Sequence, residues 1–347
     1  MMKNTKLGSL SISKICLGTM TWGQQNTQAE GFAQMDLALD LGVNFWDTAE
    51  MYPVPPMEKT YTATETIIGN WFQKNKRRSD VVLATKVIGN SAGHAWVRGG
   101  KNNGLNKSSI LAACDASLKR LQTDHIDLYQ FHWPDRSTNF FGKLGFEAVG
   151  HEYWTPLEES LSAVAELIRA GKIRHFGVSN ETAWGLMKYL WLAKELGLPA
   201  PVSIQNPYSL VNRSAEVGLA EICFRENVGF LAYSPMGFGM LSGKYTDGTA
   251  APDARLNLFG GHFKRYSSPN TIEAAAQYAK IAREHNLTPA QMALAFVNTR
   301  PWMRATIIGA THLAQLLENI ESIDVTLNAE ALAAIEAVHT QIPNPAP

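Results

Sequence analysis

Asp47, Tyr52, Lys86 and His132 are the side-chain types that a proton transfer from a phenol requires. A tyrosine ordinarily titrates near ~10, too high for efficient acid catalysis near neutrality. A close ammonium favours the phenolate, so Lys86 is the expected partner that lowers this value, with Asp47 holding Lys86 in place. His132 could orient a carbonyl oxygen by a hydrogen bond. Each residue alone has a plainer reading: Asp47 as a cap or turn residue, Lys86 as a side chain reaching to water, His132 as a satisfied structural group. Their combined weight depends on whether the fold aims them at one place.

Reduction of a carbonyl also needs a hydride donor, and a nicotinamide is the common one. Tyr233 offers a flat aromatic face for such a ring, and Ser179, Asn180 and Gln205 offer polar groups for a carboxamide. Gly309, Ala310 and Thr311 precede a helix expected to begin near His312, and free N–H groups there suit a phosphate. Lys244 and Arg255 could supply positive charge to a phosphate. No His/Cys/Asp/Glu cluster has metal-ligand spacing, so no metal is expected.

The elements that must position these residues alternate. Short apolar runs occur at 15–20, 43–47, 81–86, 126–132, 173–179, 202–205, 228–234 and 305–309. Near-continuous apolar runs suit parallel strands buried on both faces. Between them lie helical segments at 28–41, 107–121, 182–196, 214–226 and from Thr288 through Val297, with a capping box at Thr288 and Gln291. Thr155, Pro156 and Glu158 read as N-cap, first-turn proline and capping-box acid of a further helix, and Gly171 as its C-terminal stop. Strand then helix, eight times, predicts an α/β fold, a (β/α)8 TIM barrel. A doubly wound sheet would show a Gly-x-Gly-x-x-Gly turn after its first strand, and Gly18 to Gly23 does not fit. A hairpin is expected at 8–13 before the barrel and an appended helix at 328–341. Residues 1–347 read as one domain. In a barrel the strand ends converge on one mouth, which puts Asp47, Lys86, His132, Ser179, Gln205 and Tyr233 together. Three long loops, 87–106, 134–154 and 235–269, lie on that face and carry Trp96, Trp133 at an edge, Phe140, Phe141, Phe146, Trp154, Phe238, Phe259 and Phe263. They are expected to shape the substrate pocket.

Composition excludes other classes. The formal net charge is zero, with 31 Lys+Arg against 31 Asp+Glu, and no long basic run occurs, which argues against a nucleic-acid or anionic-membrane partner. No apolar stretch is long enough to span a bilayer. The polar start, Met1 to Lys6, lacks the apolar segment of a signal peptide. The three cysteines, Cys16, Cys114 and Cys223, have no disulfide or zinc spacing and read as buried thiols in a reducing cytoplasm.

Several stretches resemble the aldo-keto reductases: "NFWDTAEMYP" from 44, "ATK" from 84, "LKRLQTDHIDLYQFHWP" from 118, "GKIRHFGVSN" from 171, "IQNPYS" from 204, "YSPMGFGMLSGKY" from 233 and "IIGATHLAQLLENI" from 307. The resemblance covers nearly the whole chain. It is greatest to the bacterial Tas-type members and more distant to the potassium-channel β-subunit branch. It implies a barrel using NADP(H) without a Rossmann domain, reducing aldehydes or ketones, with Tyr52 as general acid, Lys86 and Asp47 tuning it, and His132 orienting the carbonyl. Tyr52 and Trp133 would border the substrate. Gly18, Thr19, Met20 and Asp47 would meet the cofactor at the first two strand ends. Ser179, Asn180, Gln205 and Tyr233 would meet the nicotinamide. Ser234, Pro235, Met236, Gly237, Phe238, Gly239, Lys244 and Arg255 would wrap the pyrophosphate. Gly309, Ala310, Thr311, Gln315, Glu318 and Asn319 would hold the adenosine end. The sequence departs from many members where a lysine and an arginine flank the 2′-phosphate, reading Ala310-Thr311 and Gln315 instead, which weakens the expected preference for NADPH over NADH. Met20 stands where a larger aromatic residue is sometimes found.

Two other readings stay open at this level. One is a cofactor-sensing binding module of the channel β-subunit kind, although no obligate protein partner is evident. The other is a barrel enzyme that takes sugar phosphates on the loop after the last strand. The partner expected first is a small carbonyl compound.

Overall fold

The structure is a computed structural model that describes residues 2–90, 92–100 and 104–347. Met1 of the polar start and residues 91 and 101–103 of the long loop 87–106 lie outside the described residues. Among the described residues there are ten strands: β1 Asn4–Leu7, β2 Leu10–Ser13, β3 Ile15–Gly18, β4 Phe45–Asp47, β5 Val82–Val87, β6 Ile126–Phe131, β7 Ile173–Ser179, β8 Ser203–Pro207, β9 Gly229–Tyr233 and β10 Met303–Ile308. The helices are α1 Gln28–Asp40, α2 Ala63–Asn75, α3 Lys107–Leu121, α4 Leu157–Arg169, α5 Ala183–Leu196, α6 Leu219–Arg225, α7 Arg255–Phe259, α8 Pro269–Glu284, α9 Pro289–Asn298, α10 Leu313–Glu321 and α11 Ala329–Gln341. Strands β3 to β10 close into one parallel barrel in chain order. This is the (β/α)8 TIM barrel that the alternating runs predict.

The hairpin β1–β2 pairs antiparallel, Asn4 opposite Ser13 and Leu7 opposite Leu10. It therefore starts earlier than the 8–13 segment suggests, and the polar residues from Asn4 form its outer strand. Its turn uses Gly8 at φ +56°, where a Cβ would lie 2.9 Å from the His175 ring. Leu7, Leu10 and Ile12 pack against Cys16, Phe45, Ala84, Leu128, Leu231 and Ala305 inside the barrel. The hairpin thus plugs the end where the strands begin.

Side chains alternate along a strand, so the inward set repeats every second residue. Above Cys16 comes Gly18; above Phe45, Asp47; above Ala84, Lys86; above Leu128, Gln130 and then His132; above Leu231, Tyr233. The lower layer is apolar, and the layer above it carries polar groups at the ends where the strands finish.

Two helix boundaries differ from expectation. Helix α4 has Pro156 as N-cap and no side-chain cap. The Thr155 hydroxyl instead donates to Asp135 Oδ2 at 2.6 Å, so a long-range contact took the group that a local cap needed. The segment 214–226 is not one helix. A 3-10 turn at Ser214–Glu216 precedes α6, and Gly218 at φ +91° breaks them. The expected capping box at Thr288 and Gln291 is present, and Thr27 and Glu30 form a second one at α1. Helix α8, with α7, lies in the connection between β9 and α9, and α8 packs on the appended α11. No helix among the described residues is long and apolar enough to cross a membrane. Cys16, Cys114 and Cys223 are all buried and free.

Candidate active site

Asp47 is the last residue of β4, and its carboxylate is held from three sides. Lys86 Nζ donates to Oδ2 at 2.5 Å, while Gln205 Nε2 and Gln130 Nε2 donate to Oδ1 at 2.8 and 3.1 Å. Lys86 also donates to the Thr48 carbonyl at 2.8 Å and to the Tyr52 hydroxyl at 3.3 Å. The ammonium lies 4.8 Å from the centre of the Tyr52 ring. Lys86 is fully buried, and Asp47 and Tyr52 are nearly so. The His132 ring meets Tyr52 edge-on, with centroids 5.8 Å apart. The structure therefore brings Asp47, Tyr52, Lys86 and His132 to one place.

The electrostatics differ from the expectation in one respect. Burial pushes the Tyr52 phenol above its ordinary value; the Lys86 ammonium opposes this but does not reverse it. Tyr52 is thus held as a neutral phenol, the proton-donating form, with the Lys86 ammonium beside its oxygen. Burial alone would depress the Lys86 ammonium, but Asp47 and then Tyr52 outweigh it, so Lys86 stays charged. Burial, with Lys86 and His94 adding to it, pushes His132 well below the usual imidazole value. A neutral imidazole keeps one N–H to donate. His132 Nδ1 is buried with no hydrogen-bond partner.

A cavity of about 1800 Å³ opens above these residues. Tyr52, His132, Trp133, Phe140, Phe141 and Phe263 line one part of it. Of the other loop aromatics, Phe238 and Phe259 also line it. Trp96, Phe146 and Trp154 do not: Trp96 packs on Tyr61 and His94, Phe146 is exposed, and Trp154 packs on the main core.

The residues expected along a dinucleotide mostly line the same cavity. Gly18, Thr19, Met20, Asp47, Ser179, Asn180, Gln205, Tyr233, Ser234, Pro235, Met236, Phe238, Gly239, Lys244 and Arg255 do so, as do Gly309, Ala310, Thr311, Gln315, Glu318 and Asn319. Gly237 is not in the lining; it is buried, at φ +53°. Some of these groups are already engaged. Ser179 Oγ donates to the Gln205 carbonyl at 2.7 Å, and Tyr233 Oη donates to Asn180 Oδ1 at 2.6 Å. Thr19 Oγ1 donates to the Asp47 carbonyl at 2.9 Å.

Others are left over. Arg255 donates through Nη2 to the Val54 carbonyl at 2.7 Å and stacks on Phe238 and Phe263, but its Nε is buried without a partner. Burial pushes its guanidinium down to about 10, still charged at neutral pH. Burial also lowers Lys244. Neither cation is ion-paired with a carboxylate among the described residues. Asn26 Oδ1, Gln24 Oε1 and Gln25 Oε1 are buried without partners on the cavity's edge. Two cations without carboxylate partners fit the phosphates of an elongated ligand such as a nicotinamide dinucleotide, and the unpaired amide oxygens fit hydroxyl donors on it.

Sequence reasoning passed over Gln130. It stands two residues before His132 in β6, hence on the same inward side, and a polar residue at that register was the available signal. Glu50 was also missed. It is fully buried, accepts from the Ile88 amide at 2.9 Å and pairs with Arg98, tying the loop after β5 to the strand ends. Among the described residues, no group of three His, Cys, Asp or Glu is placed to hold a metal ion.

The sequence model of the Aldo/keto reductase family matches residues 14–340. The chain is 51% identical over 340 residues to Protein tas of Escherichia coli (strain K12), covering 98% of this chain and 97% of that one. It is 33% identical over 344 residues to an uncharacterized oxidoreductase, YrpG, of Bacillus subtilis (strain 168), covering 97% and 96%. It is 30% identical over 343 residues to a probable voltage-gated potassium channel subunit beta of Oryza sativa subsp. japonica, covering 97% and 95%.

Proposed function

The chain belongs to the aldo/keto reductase family, an oxidoreductase family acting on carbonyls, and on that premise we propose that it is an NADPH-dependent reductase of aldehydes and ketones. The observation that carries this reading is the position of Lys86 Nζ, 2.5 Å from Asp47 Oδ2 and 3.3 Å from Tyr52 Oη, under a cavity that Tyr52 and His132 line.

A bound nicotinamide supplies the hydride that the carbonyl carbon takes up. Tyr52 gives its proton to the carbonyl oxygen as general acid. Lys86 meets the negative charge that develops on the phenol, and Asp47 fixes Lys86 in that position. His132, neutral through the physiological range, donates a hydrogen bond to the carbonyl oxygen and aligns it with Tyr52. Ser179, Asn180, Gln205 and Tyr233 would hold the nicotinamide. Lys244 and Arg255, with the 234–239 loop, would neutralise the pyrophosphate, and residues 309–319 would hold the adenosine end. The whole chain, 1–347, acts as one cytoplasmic domain on this reading, with a small carbonyl compound as partner.

The similarity to a named channel subunit favours one second reading, a cofactor-binding module with incidental turnover. A steady-state assay of NADPH oxidation over a panel of aliphatic and aromatic aldehydes and ketones separates the two. An enzyme turns over at least one member at ~1 per second or faster, the lower end of ordinary enzyme rates. Tight NADPH binding with negligible turnover on every member would overturn the reductase reading.

A further inference from the structure

Asp47, Tyr52, Lys86 and His132 do not exhaust the polar network at the barrel mouth. Gln130 lies within β6 and is fully buried, among strands whose lower inward layer is apolar. A buried primary amide is costly unless its hydrogen bonds are made, so its partners indicate what it is for. Gln130 Nε2 donates to Asp47 Oδ1 at 3.1 Å. Gln130 Oε1 accepts from Gln205 Nε2 at 3.3 Å. Gln205 Nε2 also donates to Asp47 Oδ1 at 2.8 Å.

This triangle can be closed in only one sense. An ionised carboxylate offers acceptors alone, so both glutamines must turn their NH2 groups towards Asp47. An NH2 group has two hydrogens. Gln205 uses one on Asp47 and the other on Gln130 Oε1. Its amide nitrogen is then fully used, and only its oxygen is left to answer a ligand in the cavity that Gln205 lines. Without Gln130 the Gln205 amide would lose the acceptor that opposes its rotation.

The backbone makes room for this contact. Strand β7 runs between β6 and β8, and Gln130 is paired in register with Gly177. Gly177 carries no side chain at that position, and a Cβ there would lie 2.2 Å from Ser203 Oγ. The gap lets side chains from β6 and β8 meet across an intervening strand.

We propose that Gln130 is a positioning residue for the reaction, acting through Asp47 on the Lys86–Tyr52 pair and fixing the amide orientation of Gln205. The proposal rests on the reductase reading above. Among the described residues Gln130 is hydrogen-bonded to Asp47 and Gln205 and not to Lys86 or Tyr52, so its effect passes through the Asp47 carboxylate. The Gln130 amide draws negative charge onto Oδ1, away from the Oδ2 that faces Lys86. Removing it leaves more negative charge beside Lys86, which weakens the help that Lys86 gives to a developing phenolate. The proton on Tyr52 is then held more tightly.

Two variants test this together, in wild-type and Tyr52→Phe backgrounds. Gln130→Met keeps the volume and removes both hydrogen bonds. Gln130→Glu, when protonated, restores a donor to Asp47 and an acceptor for Gln205; when ionised it puts a second carboxylate against Asp47. The readouts are the pH profile of kcat for carbonyl reduction and NADPH affinity from tryptophan fluorescence. Gln130→Met is expected to lower kcat about tenfold, the effect of one charge-assisted hydrogen bond, to move the alkaline limb to higher pH, and to weaken NADPH binding several-fold. Gln130→Glu is expected to approach wild-type kcat at low pH and to lose it as pH rises. In the Tyr52→Phe background Gln130→Met should lower kcat no further.

An unshifted pH profile in Gln130→Met, or an equal loss in both backgrounds, would reduce Gln130 to a packing residue and overturn the proposal. If Gln130→Met does not fold, the Gln130→Glu profile decides alone: a uniform loss at all pH values, with no recovery at low pH, overturns it. Wild-type turnover in Tyr52→Phe itself would instead sink the parent reading, so the two failures are distinguishable.

Discussion

The barrel buries a carboxylate against cations near each of its ends. Asp127 stands second in β6, near the end where the strands begin; Asp47 is the last residue of β4, at the end where they finish. Asp127 Oδ2 accepts from Arg78 Nη2 at 2.7 Å and from the Leu83 amide at 2.9 Å, and Oδ1 accepts from Arg174 Nη1 at 2.7 Å. The remaining Arg78 donors end on the Thr123 hydroxyl and on the Val81 and His125 carbonyls, and none of these residues lines the large cavity. Around Asp47 the chain of bonds continues outward, through Lys86 to a phenol that faces the cavity beside an imidazole with an unpartnered nitrogen. Burial and ion pairing are common to both. What sets the mouth apart is that a phenol and an imidazole at the end of the network line open space. This agrees with the general division of barrels into a stabilising end and a reactive end.

Lys86→Met gives the largest expected break in that contrast. It removes the stabiliser of the phenolate and leaves Asp47 buried without its cation. Turnover should fall by about two to three orders of magnitude, with ~3–5 kcal/mol of stability lost. Steady-state assay and urea unfolding measure the two effects. Asp127→Ala should behave differently. It removes the counter-charge of Arg78, which keeps its bonds to Thr123 and two carbonyls, strands the Leu83 amide, and leaves Arg174, half in water, little affected, so about 2–3 kcal/mol of stability should go. Its kcat per folded molecule should match wild type within about twofold, and a large loss of kcat would blur the division of ends.

The smallest effect is a pH dependence. The folded protein holds His132 well below the usual imidazole value, through burial first. Between that value and ~6.5 the unfolded chain binds a proton that the folded chain does not, so stability rises with pH across this window. Acidification below ~6.5 should therefore cost up to ~1.4 kcal/mol per pH unit from this residue. The slope should be shallower in His132→Gln, and an unchanged slope would show that His132 is not held neutral. Tyr52, raised above its ordinary value, keeps its proton through the same window. Reduction should accordingly stay level across neutral pH and fall only on the alkaline side.

The fold is legible in the sequence because parallel strands covered on both faces must be apolar nearly throughout, and such runs stand out at 126–132 and 228–234. The strand ends are legible in part for the same reason: Asp47 and His132 stand near the ends of apolar runs, whereas Lys86 interrupts one that continues through Val87 and Ile88. What escapes is set by contacts distant in sequence. Thr155 looks like a cap, yet Asp135, which also accepts from the Asn90 and Leu105 amides at 2.6 and 2.8 Å, draws its hydroxyl away. The break at Gly218 depends on a positive φ that the helical pattern around it does not declare. Gln130 reads as a polar interruption until β8 is known to lie one strand beyond its neighbour. The net direction of the Tyr52 shift escapes too, because the sequence gives the neighbouring cation but not the depth of burial that outweighs it.

The central claim is that the proton comes from residue 52 while the cofactor is held elsewhere. Turnover and NADPH affinity measured side by side in Tyr52→Phe test it most directly. The expected result is a loss of about 10²–10⁴ in kcat for carbonyl reduction, the usual contribution of a general acid, with NADPH affinity within about threefold of wild type. Wild-type turnover in the same variant, with the protein folded and the cofactor bound, would contradict it.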